Sequence, residues 1–521
     1  MVTVPQSTVQ NTFRGQSLPA GYKNENGNGL HAPPALEFSF TPLYILLGLW
    51  VVCVGINFAT GRHFRFELAL ALWFIGNLLF LGSGKGMYET FLFLVLPAVL
   101  LGVTDLFPVG PVTVEMAYLI PALNLIPYCW SGALKRGFPE RNQANRANRL
   151  GPYLALFVFA CIGSAFQTVV IYPTQALRAT GVIFIIPFFF YLYTSHAIQR
   201  LANVKEIARL IVMITAFYSA LMGIIQIAHR GHFARIARNL VLFPEEKIEL
   251  MWKFTFGEGK VISVWPDAAS FGHVLCFSFP LAFGLALTAR TTRERIDSIL
   301  ATLLISIGIM ITGNRTDILG AFTTVIFLIL GFWARSATVR GIIFKVGMIA
   351  IIAALVIIST RENNGLTRLF MPGDWDKKTA SSRTILIGEG IRMFESSPML
   401  GIGLDNFRFN QDYRKDGLYI VENYAHNLFV QILAETGIIG LCFFLLLMIQ
   451  VFRFARITWR HRTDTELDFF CYLFLVSCVV LVLQGLIENA LFYVQTASLF
   501  WAGVGIWRGR ALEKKHAERQ F

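Results

Sequence analysis

The chain has 521 residues, of which 55% are hydrophobic and only 15% charged, with 47 phenylalanines, a mean hydropathy of +0.57 and a formal net charge of +13. Soluble chains average roughly 25% charged residues, and here the apolar residues come in blocks of about 18 or more, so a water-soluble fold is excluded, as is the alternating pattern of a membrane barrel. Lys and Arg fall in short clusters between the blocks, which follows the positive-inside rule and not a nucleic-acid-binding face.

Residues 1–38 are polar and rich in Asn, Gly, Pro and Gln, without the basic start and apolar core of a signal peptide, and are read as a disordered cytoplasmic tail. Apolar runs then predict an all-α polytopic membrane protein of about fourteen transmembrane helices. They lie near residues 41–60, 67–83, 87–103, 112–133, 152–172, 180–196 and 207–227, and then near 268–289, 297–312, 316–334, 341–359, 426–452, 467–487 and 490–507. Basic clusters at 135–149, 200–205, 290–295, 335–340, 453–462 and 508–519 all fall on one side of that alternation, which puts both termini in the cytoplasm; Arg62 and Arg65 are a mild exception. The seven cysteines lie inside apolar blocks without a CxxC pair, so neither a disulfide framework nor a zinc site is expected.

This topology leaves two long segments outside, 228–267 and 360–425, and the second is too polar to face lipid. The expected organisation is a tail at 1–38, N-terminal transmembrane helices at 39–230 and a catalytic region at 231–455 that includes a large helical periplasmic loop at 360–425. C-terminal helices and a second cytoplasmic tail follow at 456–521.

Three features of the second half carry chemistry. Gly313-Asn-Arg-Thr-Asp317 places Arg315 at a bilayer edge, where a cation either anchors a helix end or serves function. In Ser381-Ser-Arg-Thr384, Ser382 is read as a helix cap, which puts Arg383 in a first turn whose free N–H groups and dipole suit phosphate; the alternative is a solvated Arg on a surface helix. Past the glycine-bearing turn Gly401-Ile-Gly-Leu-Asp-Asn-Phe407, Tyr424-Ala-His-Asn427 opens a long apolar helix, so His426 lies at a helix start where imidazole can act as a base or simply be structural. Asn427, Gln431 and Glu435, spaced four apart, form a polar stripe. Glu435 lies nine residues from His426 and on the opposite helical face, so it is read as a packing or positioning residue. Gly82-Ser-Gly-Lys-Gly86 lacks P-loop spacing, and no acidic cluster suggests a metal site.

Taken in order, Arg315 in GNRT, Arg383 in SSRT, the SPMLGIGLDNF turn and AHNLFVQILAETGIIG resemble the O-antigen ligase and O-antigen polymerase superfamily over roughly residues 260–450, with Trp265-Pro-Asp267 leading into the helix before the first Arg. The resemblance implies a glycosyltransferase that moves a glycan from undecaprenyl diphosphate to an acceptor sugar on the periplasmic face of the bacterial inner membrane, needs no cofactor or metal, and inverts the anomeric centre. In this scheme Arg315 and Arg383 hold the diphosphate, His426 is the base, and Asn427, Glu435 and Asp267 support them. The implied partners are the undecaprenyl-diphosphate-linked glycan, membrane lipids, and an acceptor glycan or lipid A core. A chain-length regulator and a flippase would act alongside, and nucleic acid is not expected. The number of spans leans toward a polymerase over a ligase. The alternatives are a transporter or flippase of lipid-linked oligosaccharide, which would place its charges in broken helices near the midplane, and a non-catalytic assembly partner.

Overall fold

The computed structural model describes residues 105–109, 112–115, 150–197, 201–228, 261–332 except 264 and 266, 374–410, 424–462 and 464–520, together with Leu96. Within these residues the chain is helical apart from one antiparallel hairpin, β1 (Asp105–Val109) with β2 (Val112–Glu115), in which Val109 pairs with Val112. This corrects the helix expected to begin at 112: Val112, Thr113 and Val114 are β-branched, and their restricted side chains suit a strand.

The helices follow in order. α1 is Gly151–Ala165, and α2 (Pro173–Ala179) passes through a π-turn at Thr180–Ile185 into α3 (Ile186–Ala197). α4 (Leu201–Ile214) does the same through Thr215–Ala220 into α5 (Leu221–Ala228). Then come α6 (Ala268–Thr288), α7 (Thr292–Ile311), α8 (Arg315–Phe332), α9 (Asp374–Ser396), α10 (Leu428–His461), α11 (Glu466–Gly485) and α12 (Val494–Gln520). Five stretches among the described residues are long and apolar enough to cross a membrane: Pro173–Leu192, Asn203–Ile227, Ala268–Thr288, Leu428–His461 and Glu466–Gly485. The expected spans at 41–60, 67–83 and 341–359, and those at 87–103 and 112–133 except Leu96 and the hairpin residues, lie outside the described residues.

Sequence sets the helix ends. Asp267 with Ser270 and Thr291 with Glu294 form capping boxes for α6 and α7, each side chain taking up an N–H that the helix leaves unpaired. Thr465 accepts from the backbone of Asp468 to start α11. Exposed apolar residues recur along α8 at Phe322, Ile326 and Leu330 and along α10 at Leu445, Ile449 and Phe452, the outward stripe of a helix that meets lipid. Inward, α11 packs against α6, α8, α10 and α12, with 15 of its 20 residues buried.

α6 and α11 run antiparallel, which gives the bundle two polar ends. At one, Glu466 pairs with Lys205 and with Arg290 at 3.4 Å, and Asp468 accepts from Arg510 Nε at 2.7 Å. The other end holds the start of α6 and the turn after α11. The 20 residues of α11 separate the two ends by ~30 Å, the thickness of a bilayer's hydrocarbon layer.

α10 is broken. Gly437 has φ +63, which frees backbone groups on either side of it. The turn after α9 fills the break: Ile402 N and Gly403 N donate to the carbonyls of Ala434 and Glu435, while Ile438 N and Ile439 N donate to those of Pro398 and Met399. The glycine-rich motifs around 401 and 437 therefore meet as backbone against backbone. A Cβ on Gly437 would stand 2.4 Å from the carbonyl carbon of Met399, and one on Gly401 2.4 Å from that of Glu435. This pairing docks α9 onto α10 and brings Arg383 toward His426.

Candidate active site

His426 stands two residues before the first residue of α10 and holds a left-handed backbone, φ +49, a conformation unusual for any residue but glycine. Asn427 is the helix cap: its side-chain oxygen accepts from Phe429 N and Val430 N at 3.0 and 3.1 Å, and its amide donates to Leu486 O at 2.9 Å. The strained turn is thus fixed both to its own helix and to the connection at 486–493.

That connection supplies Glu488, a residue the sequence reading passed over. Its carboxylate bridges two of the expected site residues: one oxygen accepts from Arg383, the other from His426 Nδ1 at 2.6 Å. Burial works against the Glu488 carboxylate, but the hydrogen bond and charge of His426, with Arg383 and His273 nearby, hold it below the ordinary glutamate range. An ionised Glu488 requires the hydrogen on Nδ1, which leaves Nε2 of a neutral His426 as a proton acceptor. Nε of Arg383 has no hydrogen-bond partner among the described residues, so the fork keeps a donor for an anion.

Arg383 sits on a different local structure from the one expected. α9 begins at Asp374, so Ser382 is not a cap and Arg383 is an interior residue whose backbone N–H belongs to the helix. Residues 374–382 contain no Pro or Gly to stop the helix earlier. The anion-binding capacity here rests on the guanidinium alone.

Arg315 is the first residue of α8 and is half-buried. Two residues on, buried Asp317 accepts from Gln484 Nε2 at 3.2 Å, and the backbone N–H of Glu488 donates to Gln484 O at 2.8 Å. Gln484 thereby links the helix of Arg315, through its side-chain amide, to the turn of Glu488, through its backbone carbonyl. α6 closes against this point because Gly272 has no side chain: a Cβ there would lie 1.7 Å from Oδ2 of Asp317.

The polar stripe on α10 is used along its whole length. Gln431 accepts from Ala425 N at 2.7 Å and Asn489 Nδ2 at 3.3 Å, and donates to Glu435 at 2.7 Å; the same Glu435 oxygen accepts from Phe407 N at 3.1 Å. Glu435 therefore ties the glycine turn to α10, while Gln431 steadies the residues flanking His426 and Glu488. Asp267, besides capping α6, accepts from Tyr493 OH at 2.5 Å and so ties α6 to the same connection. His273, in the second turn of α6, is wholly buried, and neither ring nitrogen has a hydrogen-bond partner among the described residues. Among the described residues no group of three or more His, Cys, Asp or Glu side chains is arranged to hold a metal ion.

The site thus joins a histidine whose Nε2 has no hydrogen-bond partner among the described residues, its carboxylate partner and a guanidinium at one end of an apolar helical bundle. Chemically, it can accept a proton from a hydroxyl and hold a phosphate-like anion. The expected base and one of the two expected anion-binding arginines meet through Glu488, and Arg315 is joined to that turn through Asp317 and Gln484. No curated protein matches the chain. Residues 300–445, the segment that holds Arg315, Arg383, His426 and Glu435, match the family model described as O-Antigen ligase, which supports the expected resemblance to the O-antigen ligase and polymerase superfamily.

Proposed function

We propose that this protein is a membrane glycosyltransferase of the O-antigen ligase and polymerase type, which moves a glycan from undecaprenyl diphosphate to an acceptor sugar hydroxyl at the periplasmic face of the bacterial inner membrane. The observation that carries the reading is the Arg383–Glu488–His426 bridge beside a segment that matches the family.

The chemistry follows from that bridge. Nε2 of His426 takes the proton of the acceptor hydroxyl as its oxygen attacks the anomeric carbon; the bond from that carbon to the diphosphate breaks, and the electron pair leaves with the diphosphate. Displacement from the opposite face inverts the anomeric configuration. Glu488 stabilises the imidazolium that forms, and the guanidinium groups of Arg383 and Arg315 stabilise the departing diphosphate with charge-assisted, bidentate bonds that a lysine would not reproduce. The diphosphate supplies the negative charge that lets Arg383 share its donors between Glu488 and the substrate.

Growth of a chain and its attachment to lipid A core share this chemistry, and the expected fourteen spans lean toward a polymerase. Complementation of a deletion strain with Arg315→Ala, Arg383→Ala or His426→Ala tests the reading. Single repeats on the gel identify a lost polymerase, and full-length glycan stranded on its carrier a lost ligase. Normal glycan in all three variants overturns it.

A further inference from the structure

One group of side chains next to the site is explained neither by core packing nor by the chemistry above. Tyr172, Phe409, Arg408 and Tyr424 lie in a continuous run of flat groups. The rings of Tyr172 and Phe409 are 4.6 Å apart, the guanidinium of Arg408 lies 4.7 Å from the Phe409 ring and 5.8 Å from the Tyr424 ring, and Tyr424 is 6.4 Å from Phe492. The run starts at an exposed tyrosine and ends at two points of the catalytic unit. Tyr424 is two residues before His426, and Phe492 is on the connection that carries Glu488.

Tyr172, Phe409 and Tyr424 stand outside the apolar core. They are held instead by a polar frame built on Asp405 and Asn406. Asn406 exchanges two hydrogen bonds with the backbone of Tyr172, accepting from its N–H at 2.9 Å and donating to its carbonyl at 3.2 Å. Asp405, itself in a left-handed conformation at φ +58, accepts from Tyr424 OH at 3.1 Å, from Gln175 at 2.6 Å and from Arg408 at 3.1 Å. Burial and the Asp405 carboxylate push the Tyr424 hydroxyl up, so it stays a donor in this frame. The frame fixes ring positions across 230 residues of sequence while Tyr172 stays half open to its surroundings. Pyranose rings present flat C–H faces that stack on aromatic side chains, and arginine between two rings adds hydrogen-bond donors at the edge of the stack.

We propose that Tyr172, Phe409, Arg408 and Tyr424 form the acceptor-glycan subsite, a track that lays successive sugar rings against aromatic faces and delivers the terminal hydroxyl to His426. This rests on the reading of His426 as the base for glycan transfer, and goes beyond it by assigning where the acceptor lies and what recognises it.

The test uses the full-length protein in proteoliposomes with the lipid-diphosphate-linked glycan of the producing strain as donor. The acceptor probe is a set of fluorescently tagged oligosaccharides made by mild acid hydrolysis of that strain's surface polysaccharide. Phe409→Ala and Tyr172→Ala are expected to raise the acceptor KM roughly five- to tenfold each, with the donor KM and the maximal rate little changed and with longer oligosaccharides losing more than single repeats. Phe409→Trp and Tyr172→Phe, which keep a ring, are expected to restore it. Wild-type acceptor KM in both alanine variants overturns the proposal, as does lowered protein in the membrane with unchanged KM, the behaviour of aromatic anchors at a lipid interface. His426→Ala, run in parallel, separates the two failures: if it transfers glycan normally the underlying reading is wrong, whereas if it is inactive and the track variants are normal, only the subsite is wrong.

Discussion

Glu488 accepts the Nδ1–H of His426 at 2.6 Å across 62 residues of sequence, and the same carboxylate holds Arg383. A carboxylate in this position does for the imidazole what the acidic member of a hydrolase triad does: it selects the tautomer and stabilises the imidazolium. Glu488→Gln keeps the shape and an acceptor oxygen but removes the charge. The expected result is a fall of about 10²- to 10⁴-fold in the rate of glycan transfer with normal amounts of protein in the membrane, read from turnover of purified variants at equal concentration.

The same carboxylate gives a signature in stability. Its pKa is lower in the folded protein than the ordinary glutamate value of 4.5, so the unfolded chain takes up the proton first as pH falls. The stabilisation by Glu488 is therefore complete above about pH 4.5 and is lost as pH drops through the folded-state value. Thermal melts in detergent are expected to show wild type more stable than Glu488→Gln at neutral pH, with the gap narrowing only below about pH 4.5. A gap independent of pH down to strong acid would show that the charge of Glu488 is not what stabilises the site.

Gly437 is a second place where a small change has a large expected effect. An alanine would have to hold φ +63 and would press on the backbone of Met399, which cannot swing away as a side chain can. Gly437→Ala is expected to lose about 1–3 kcal/mol of stability and to reduce transfer, because the turn that docks α9 and its Arg383 onto α10 is displaced. Gly388, on an exposed part of α9 with nothing among the described residues within 4 Å of its missing Cβ, is the control. Gly388→Ala is expected to leave melting unchanged or slightly raised.

The contact of Gly272 with Asp317 links α6 to the helix that begins at Arg315. Gly272→Ala forces these elements apart and is expected to lower both melting temperature and transfer, and Asp317→Ser in the same chain is expected to recover part of the loss by making room. A double variant no better than Gly272→Ala alone would place the damage elsewhere. Comparing the four proteins as a cycle by thermal melts measures the coupling directly.

Much of this was legible in the sequence, for reasons that differ by feature. Apolar length located the helices at 268–288, 315–332, 428–461 and 466–485 to within a few residues at most ends, because crossing a bilayer needs about 20 residues without charge. Arg315 and His426 stood out as ionisable groups where apolar blocks begin, and Arg383 as a cation in the expected first turn of a helix after Ser382. Glu488 did not, because Ile487-Glu488-Asn489 lies between two apolar blocks and reads as a short polar connector; the signal it did carry was an acid and an amide side by side in so tight a link between spans. The break at Gly437 was hidden because Glu435-Thr-Gly-Ile-Ile-Gly440 keeps helical periodicity, and only the turn at 397–403 provides the backbone partners that make an interruption stable. Ser382 misled for the converse reason: a good capping residue is capped over when nothing upstream stops the helix.

The central claim is that His426, oriented by Glu488, drives formation of a glycosidic bond from a lipid-diphosphate donor. Its most direct test is new bond formation by purified full-length protein in proteoliposomes supplied with the lipid-diphosphate-linked glycan, comparing wild type with His426→Ala at matched melting behaviour. Wild type is expected to convert donor to longer or transferred glycan with release of undecaprenyl diphosphate, and His426→Ala to fall to the protein-free background. Bond formation at the wild-type rate in His426→Ala, or glycan crossing the bilayer in the wild type without any new bond, would contradict it.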